Sequence, residues 1–413
     1  MAATSSELLI ESRPRLTPQH EPRPRGRRLR SVLGWTGIAL AMAVVLETTC
    51  RVEDWVMYGM PFWSRYTSLE QLIVRDAAGM HGRPNAQYEK WLMNALGMRG
   101  PAAAVVPGPG THRIITVGAS ETFGLYESPG REYPRQLEDS LNAFVARGQC
   151  PAPPGTRFEV LNGAFAGMGL PTIEQDVRNR LARLKPEFIV IYPSPASYLD
   201  DEAPRVAAPD STYHATEPPL RRVFYPRALA RLREQIKQIV PDFLKARLRV
   251  WQAHSLVAGH PPGWRFEQVP ADRVAQYESD LRRLIGAVHG IGAIPVLATH
   301  GNEFMGRTSI DKNMFMSWEK FYPRATSATL VAMDSIARDV TRRVGIDSGV
   351  VVVDVAKPLA AAPLSAFADF VHFTDLGASL VAESMSGTLL AEARTAGICQ
   401  PAPSTSGSAA GPR

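Results

Sequence analysis

The sequence lacks the motifs that mark several large classes of enzyme. Only three cysteines occur in 413 residues, scattered along the chain, and no two histidines have the His-x-x-x-His spacing of a zinc site. No Gly-x-x-x-x-Gly-Lys phosphate loop is present, and the glycines beside Met168 are too few for a dinucleotide site. We therefore expect a protein that works without a metal or a cofactor.

A basic surface is also missing from most of the chain, although the formal net charge is +6. Residues 1–30 hold seven arginines and three glutamates, which gives +4 and leaves +2 for the other 383 residues. A nucleic-acid partner is therefore not expected. The same segment contains four prolines and is predicted to be a disordered cytoplasmic tail.

The apolar run at 31–50 contains a single charge, Glu47. A helix of about 20 residues spans roughly 30 Å, the thickness of a hydrocarbon core. Because the arginine-rich stretch 23–30 precedes it, we predict a single-pass anchor in the inner (cytoplasmic) membrane, with the N-terminus in the cytoplasm and the rest periplasmic. The alternatives are a cleaved signal peptide, for which no small-x-small site is present, and a buried core helix over 32–46.

Two cysteines, Cys150 and Cys399, lie in proline-containing loops and can pair in an oxidising compartment. Their positions in the sequence do not decide whether they do. Cys50 lies at the predicted outer edge of the membrane.

Short apolar runs rich in β-branched residues recur along the chain at 113–117, 158–162, 188–192, 294–298 and 350–354. Near-continuous apolar strands of about five residues are typical of a parallel sheet buried on both faces. Helical periodicities lie between them, in the sets Tyr133/Leu137/Leu141/Phe144, Leu229/Leu232/Ile236/Ile239/Phe243, Val274/Tyr277/Leu281/Leu284/Val288 and Leu376/Leu380/Met385/Leu389. The alternation predicts an α/β fold, a three-layer α/β/α sandwich around a five-stranded parallel (flavodoxin-like) sheet.

The expected domain organisation follows from these elements. Residues 51–110 form an extracytoplasmic lead-in, and 111–397 form the α/β domain. Within that domain, 200–262 is too long for a simple crossover and is predicted to be a helical insertion able to cover the site. Residues 398–413 are of low complexity and are predicted to be flexible.

Ser120 is the first candidate for a catalytic residue. The strand predicted at 113–117 runs into Gly118 and Ala119, and parallel sheets form their sites beyond the carboxyl ends of the strands. A serine at the start of a helix can attack an acyl carbon while its own N–H stabilises the oxyanion. The alternative is that Ser120 is a simple helix N-cap.

Asp369 and His372 lie three residues apart, just before the last predicted helix. The carboxylate can orient the imidazole, which leaves the other ring nitrogen free to take a serine proton. Taken alone, the pair is equally consistent with two solvated loop residues.

These segments resemble the sequence blocks of the SGNH (GDSL-like) hydrolase superfamily. Residues 118–124 (GASETFG) match its first block, Gly-Asp-Ser-x-x-x-Gly, with Ala119 in place of Asp, and 369–372 match its last block, Asp-x-x-His. Residues 94–100 (NALGMRG) are similar to a segment that precedes the first block in membrane-anchored bacterial members. The resemblance covers about residues 94–392 and implies a triad of Ser120, His372 and Asp369.

The middle blocks of the superfamily are matched less well. The second, Asn-x-Gly-x-x-Gly, corresponds to 162–167 with Ala164 replacing the first Gly, and it implies oxyanion donors at Ser120 and Ala164, with Gly163 as a further candidate. The asparagine of the third block, also an oxyanion donor, is missing from 191–198, a loss that typically lowers turnover by about 10²–10³. Ser194 and Ser197 are candidate substitutes. His300 and Asn302, past the fourth strand, are candidates to line the pocket.

The resemblance implies a serine esterase or acyl hydrolase acting on O-acyl esters, such as acetyl esters on an envelope glycan, or on another small ester. An O-acyltransferase is one alternative, because the sequence does not show whether water or a sugar hydroxyl accepts the acyl group. A catalytically weakened scaffold that binds a glycan or a protein partner is another, motivated by the missing asparagine.

Overall fold

The computed structural model describes residues 25–66, 68–76, 78–200, 226–239, 241–307 and 312–400. Its helices are α1 (Arg25–Tyr58), α2 (Ser120–Phe123), α3 (Tyr133–Ala146), α4 (Leu170–Asn179), α5 (Arg227–Ile239), α6 (Asp242–Val257), α7 (Ala271–Gly290), α8 (Lys312–Phe321), α9 (Ser327–Ser348), α10 (Ala356–Ala361) and α11 (Asp375–Thr395). Its strands are β1 (Ile73–Asp76), β2 (Gly79–Gly82), β3 (Gln87–Tyr88), β4 (Trp91–Leu92), β5 (Thr111–Gly118), β6 (Arg157–Asn162), β7 (Phe188–Tyr192), β8 (Ile294–Ala298) and β9 (Val352–Val353). The predictions for 1–24, 201–225 and 401–413 fall outside the described residues.

The five apolar runs form one sheet in the order β6-β5-β7-β8-β9, with every neighbouring pair parallel. All five residues of β7 are buried, because helices cover both faces of the sheet. This is the flavodoxin-like order, so the predicted fold class is confirmed. The last strand is shorter than the predicted 350–354.

Alternating residues of β5 point into two separate cores. Ile115 and Val117 pack in the core that contains residues of α4, α7 and α9, whereas Ile114 packs in the core that contains residues of α3 and α11. The result is three layers, α/β/α. Helix α9 is absent from the sequence predictions, although its buried apolar residues follow helical spacing: Leu330, Met333, Ala337, Val340 and Val344.

Helix α1 is longer than the predicted anchor at both ends. It begins at Arg25, inside the stretch predicted to be disordered, and continues to Tyr58. The part Val32–Tyr58 is long and apolar enough to cross a membrane, and none of its most apolar window is buried inside the protein. Its apolar side chains are exposed all round the helix, as is consistent with a single-pass anchor.

The predicted insertion is helical where it is described. Helix α5 packs against α1, and α6 packs against α8. The periodicity predicted one helical face running on to Phe243, but α5 ends at Ile239 and α6 begins at Asp242. Pro241 lies between them, and a proline has no N–H with which to continue a helix.

A disulfide joins Cys150 and Cys399, which are 249 positions apart in the sequence. It ties the residues after α3 to those after α11. Ile398 and Cys399 are buried, so the ordered domain continues past 398, where the flexible tail was predicted to start. A native disulfide typically stabilises a fold by about 2–4 kcal/mol, mainly by restricting the unfolded chain.

Candidate active site

Ser120 lies at the topological switch point of the sheet, between β5 and β7, where open α/β sheets form their sites. Strand β5 ends at Gly118, and Ser120 is the first residue of the single-turn helix α2. Gly118 fits because a Cβ there would overlap the Thr122 hydroxyl and the Tyr192 carbonyl oxygen. The sequence therefore makes a tight strand-to-helix turn that presents Ser120 at the sheet edge.

Residues of the segment before the α/β domain, 51–110, hydrogen-bond to the other end of this turn. Gly124 has a φ of +86°, a conformation that favours glycine. The buried Arg99 guanidinium donates to the carbonyl oxygens of Phe123 and Gly124, and Trp91 Nε1 donates to Gly124 O at 3.1 Å. Because Arg99 belongs to the segment 94–100, that segment supports the Ser120 turn.

Asp369 and His372 form a hydrogen-bonded pair in the loop before α11. His372 Nδ1 lies 2.8 Å from each Asp369 carboxylate oxygen. The backbone N–H groups of Val371 and His372 donate to the same carboxylate, which fixes the loop. Burial lowers the pKa of His372, but the Asp369 hydrogen bond and the charges of Glu121, Asp369 and Glu127 outweigh it, and the pKa is raised overall.

The Ser120 hydroxyl donates to Glu121 Oε2 at 3.3 Å. His372 Nε2 is buried and has no hydrogen-bond partner among the described residues. The structure therefore brings Asp369 and His372 together but does not join His372 to Ser120 by a hydrogen bond. His372 and Glu121 are close enough for each charge to shift the pKa of the other.

Glu121 heads a buried chain of charged groups beneath Ser120. Its Oε1 accepts from Ser194 Oγ at 3.0 Å and lies 3.2 Å from His300 Nε2. His300 Nδ1 contacts Asp334, and Asp334 also contacts Arg338. Because Glu121, His300 and Asp334 are each at most 2% exposed, the chain lies inside the protein.

The charged groups of this buried chain, Glu121, His300 and Asp334, stabilise one another in their ionised forms. Burial alone would raise the pKa of Glu121, but the hydrogen bond and charge of His300 hold it below its usual range. Burial likewise lowers the pKa of His300, and Asp334 and Glu121 together hold it above its usual range. At neutral pH, Glu121 is therefore an anion and His300 a cation.

His300 and Asn302 do not line an open pocket. Both nitrogens of His300 contact carboxylates, and Asn302 is 1% exposed, with its amide group donating to Asp334 and its oxygen accepting from Phe304 N–H. They belong to the buried chain. No group of three or more His, Cys, Asp or Glu side chains among the described residues is arranged to hold a metal ion.

The predicted oxyanion donors are mostly occupied by neighbouring groups. Gly163 N–H donates to Thr116 O at 2.9 Å, and Ala164 N–H donates to Asn162 Oδ1 at 3.2 Å. Ser197 Oγ donates to Ser194 O, and Ser194 Oγ donates to Glu121 as described. Alanine is tolerated at 164 because its φ is not positive. Ser120 N–H lies in the first turn of α2, where N–H groups have no intrahelical acceptor.

Two aromatic side chains lie beside His372. The rings of Tyr126 and Phe370 lie 5.4 and 6.2 Å from its ring, between centroids. Phe370 in turn contacts Trp318 and Phe321. Tyr126 and Phe321 are more than half exposed, so the aromatic cluster that contacts His372 through Tyr126 and Phe370 reaches the surface.

No protein-family model and no curated protein sequence matches the chain. Solved structures match, among them an α/β hydrolase, acetylxylan esterases and lipases. They include the α/β hydrolase LAE5 from the metagenome of Lake Arreo, at 15% identity, with 67% of this chain and 94% of that chain covered and a TM-score of 0.38. A lipase/acylhydrolase from Enterococcus faecalis matches at 14% identity, with 68% and 96% covered and a TM-score of 0.39. The acetylxylan esterase Axe2 from Geobacillus stearothermophilus matches at 14% identity, with 66% and 92% covered and a TM-score of 0.36. At these identities and TM-scores the matches assign no residue role to this chain.

Sequence reasoning missed Glu121, Asp334, Arg338 and the role of Arg99. The position of Glu121 in the sequence could have revealed its role. It follows the candidate nucleophile at the end of a buried strand, and a buried carboxylate needs a partner. Asp334 and Arg338 lie four residues apart on α9, a helix that was not predicted. The helical spacing of the apolar residues of α9 could have predicted this helix, and with it the positions of Asp334 and Arg338.

Proposed function

We propose that this chain is a serine esterase or acyl hydrolase that uses Ser120, His372 and Asp369 on O-acyl esters of the cell envelope, such as acetyl esters. The observation that carries the proposal is the Asp369–His372 pair, whose free nitrogen, His372 Nε2, is buried and unpartnered among the described residues. An imidazole held in this way by a carboxylate is arranged to accept a proton. The Ser120 hydroxyl is the proposed nucleophile. It donates to Glu121, whose charge acts on His372.

The proposed reaction begins when the Ser120 hydroxyl turns from Glu121 to His372. His372 Nε2 takes the proton while Ser120 Oγ bonds to the ester carbonyl carbon, and the carbonyl oxygen becomes an oxyanion near Ser120 N–H. The bond to the alcohol oxygen then breaks, and His372 returns the proton to the alcohol. Water then attacks the acyl-enzyme carbonyl carbon while His372 takes its proton. The bond between that carbon and Ser120 Oγ breaks, His372 returns the proton to Ser120 Oγ, and the acid leaves.

A weakened, ligand-binding scaffold is the second candidate. It is favoured by the occupied N–H groups of Gly163 and Ala164 and by the anionic Glu121 carboxylate, which opposes a developing oxyanion. Such a protein would bind an acylated glycan or a protein partner without turnover. An O-acyltransferase would form the same acyl-enzyme but pass it to a sugar hydroxyl.

The proposed location is the inner membrane, with the N-terminus cytoplasmic and the α/β domain periplasmic. The arginines of residues 23–30, which precede the apolar span of α1, support this orientation. The Cys150–Cys399 disulfide supports it independently, because disulfides persist in oxidising compartments.

The test is covalent labelling of the full chain, purified in detergent, with a fluorophosphonate, followed by mass spectrometry. We expect one labelled residue, Ser120, together with release of nitrophenol from p-nitrophenyl acetate. Fragment ions separate Ser120 from Ser128, which shares its tryptic peptide. Folded protein that is neither labelled nor active would favour the scaffold, and protein that is labelled but turns over only when a sugar acceptor is added would favour the transferase.

Replacing Glu121 with Gln is expected to move the acid limb of the kcat/KM profile to lower pH. His372 must be neutral to accept the serine proton, so that limb follows its pKa. The Glu121 charge is one of the charges that raise this pKa, and removing it lets the pKa fall. The measurement is hydrolysis of p-nitrophenyl acetate between about pH 5 and 9.

Glu127→Gln is the matched control for this shift. Glu127 also raises the pKa of His372, but burial raises its own pKa to about 7, so it is only partly ionised near neutral pH. We expect a smaller displacement of the acid limb than in Glu121→Gln. An acid limb that stays in place or rises in Glu121→Gln would contradict the assignment.

A further inference from the structure

Helix α5 is fixed against the last turns of α1. The backbone N–H of Ala228, near the start of α5, donates to Glu47 at 3.0 Å. Further along both helices, the buried Asp54 carboxylate accepts from Arg231 at 2.8 Å and lies 3.5 Å from Arg227. These contacts fix the position of α5 along the axis of α1.

The start of α5 lies at the outer edge of the membrane, if α1 crosses the membrane as proposed. The basic stretch ends at Arg30, and about 20 helical residues cross a hydrocarbon core of roughly 30 Å. Counting from Ser31, the core ends near Cys50, one turn beyond Glu47. Because Ala228 is bonded to Glu47, α5 begins at the boundary between the hydrocarbon and the headgroups.

Beyond this level, apolar side chains are exposed on α5, on the last turns of α1 and in the loop that follows α1. On α5 they recur three and four residues apart, which places them on one face. On the α1 side they include two tryptophans, the residue type enriched at membrane interfaces. We call this set the juxtamembrane collar: Trp55, Val56, Trp63, Leu229, Leu232 and Ile236.

We propose that the juxtamembrane collar inserts into the interface of the outer leaflet, so that the phospholipid bilayer covers its apolar side chains. The collar continues the exposed apolar surface of α1, which crosses the same bilayer. The polar contacts of Glu47 and Asp54 face the protein, which leaves the apolar face of each helix for the lipid. Binding to the interface strengthens with the apolar area that a helix buries there. The collar thereby fixes the orientation of the Ser120 site relative to the membrane surface.

The experiment uses the full chain with Cys50→Ser in nanodiscs of phosphatidylethanolamine and phosphatidylglycerol. Leu232→Cys carries a nitroxide spin label, and Ile346→Cys on α9, where Ile346 is 81% exposed, is the control. The disulfide-bonded cysteines do not react with the label. Power saturation measures the accessibility of each label to oxygen, which partitions into lipid, and to a water-soluble nickel chelate.

We expect the label at 232 to be more accessible to oxygen than to the nickel chelate, and the label at 346 to show the reverse. Leu229→Cys should behave like Leu232→Cys. Equal behaviour at 232 and 346 would overturn the proposal, because it would place the collar in water. Dipolar broadening between labels at 232 would also overturn it, because a second copy of the chain would then cover the collar. Neither readout depends on catalytic activity.

Discussion

Replacing Ser120 with Ala is expected to lower kcat for p-nitrophenyl acetate by roughly 10⁴-fold or more and to abolish fluorophosphonate labelling. The substitution removes the hydroxyl that the turn after β5 presents at the switch point between β5 and β7. The residual rate would come from substrate binding and oxyanion stabilisation alone. Turnover of an acetyl ester by purified wild-type and mutant chains is the measurement.

Ser386→Ala is the matched control for this substitution. Ser386 is a buried serine of α11 whose hydroxyl donates to the Glu383 carbonyl oxygen, far along the helix from His372. We expect its turnover to remain within a few-fold of wild type. Undiminished activity in Ser120→Ala, with both mutants folded by circular dichroism, would remove Ser120 from the mechanism.

Asp369→Asn is expected to lower turnover by about 10⁴-fold, as loss of the charge in a serine–histidine–aspartate triad does. His372→Ala should lower it at least as much. The amide in Asp369→Asn still offers an oxygen to the N–H groups of Val371 and His372, so the loop is kept. What is lost is the carboxylate that fixes the tautomer of His372 and stabilises its protonated form.

Asp375→Asn is the control for a carboxylate in the same segment. Asp375 lies in the first turn of α11 and accepts from Ser128 N–H at 2.7 Å. Its replacement should change turnover by only a few-fold. Activity that survives His372→Ala but disappears in Glu121→Gln would instead assign the proton transfer to Glu121, the carboxylate that holds the Ser120 hydroxyl in this structure.

Much of the fold could be predicted because its elements carry strong local signals. The runs at 188–192 and 294–298 coincide with β7 and β8, since strands buried on both faces must be apolar at every position. The periodicity that begins at Tyr133 identifies α3. The apolar periodicity that begins at Leu229 predicted a helix but not where that helix packs. Leu229, Leu232 and Ile236 are exposed and do not pack in the core of the domain.

Local sequence patterns predicted the apolar span of α1 and the strands of the sheet, and they singled out Ser120 and the Asp369–His372 segment as candidates. Each depends on residues close together in the chain, where composition and spacing act directly. That Glu121, His300 and Asp334 form one buried chain, and that Cys150 pairs with Cys399, is seen in the folded structure alone. The folded structure also decided that the Ser120 hydroxyl contacts Glu121 and not His372. These contacts join segments up to 249 residues apart, and they depend on how helices and loops pack around the sheet edge, which no local pattern encodes.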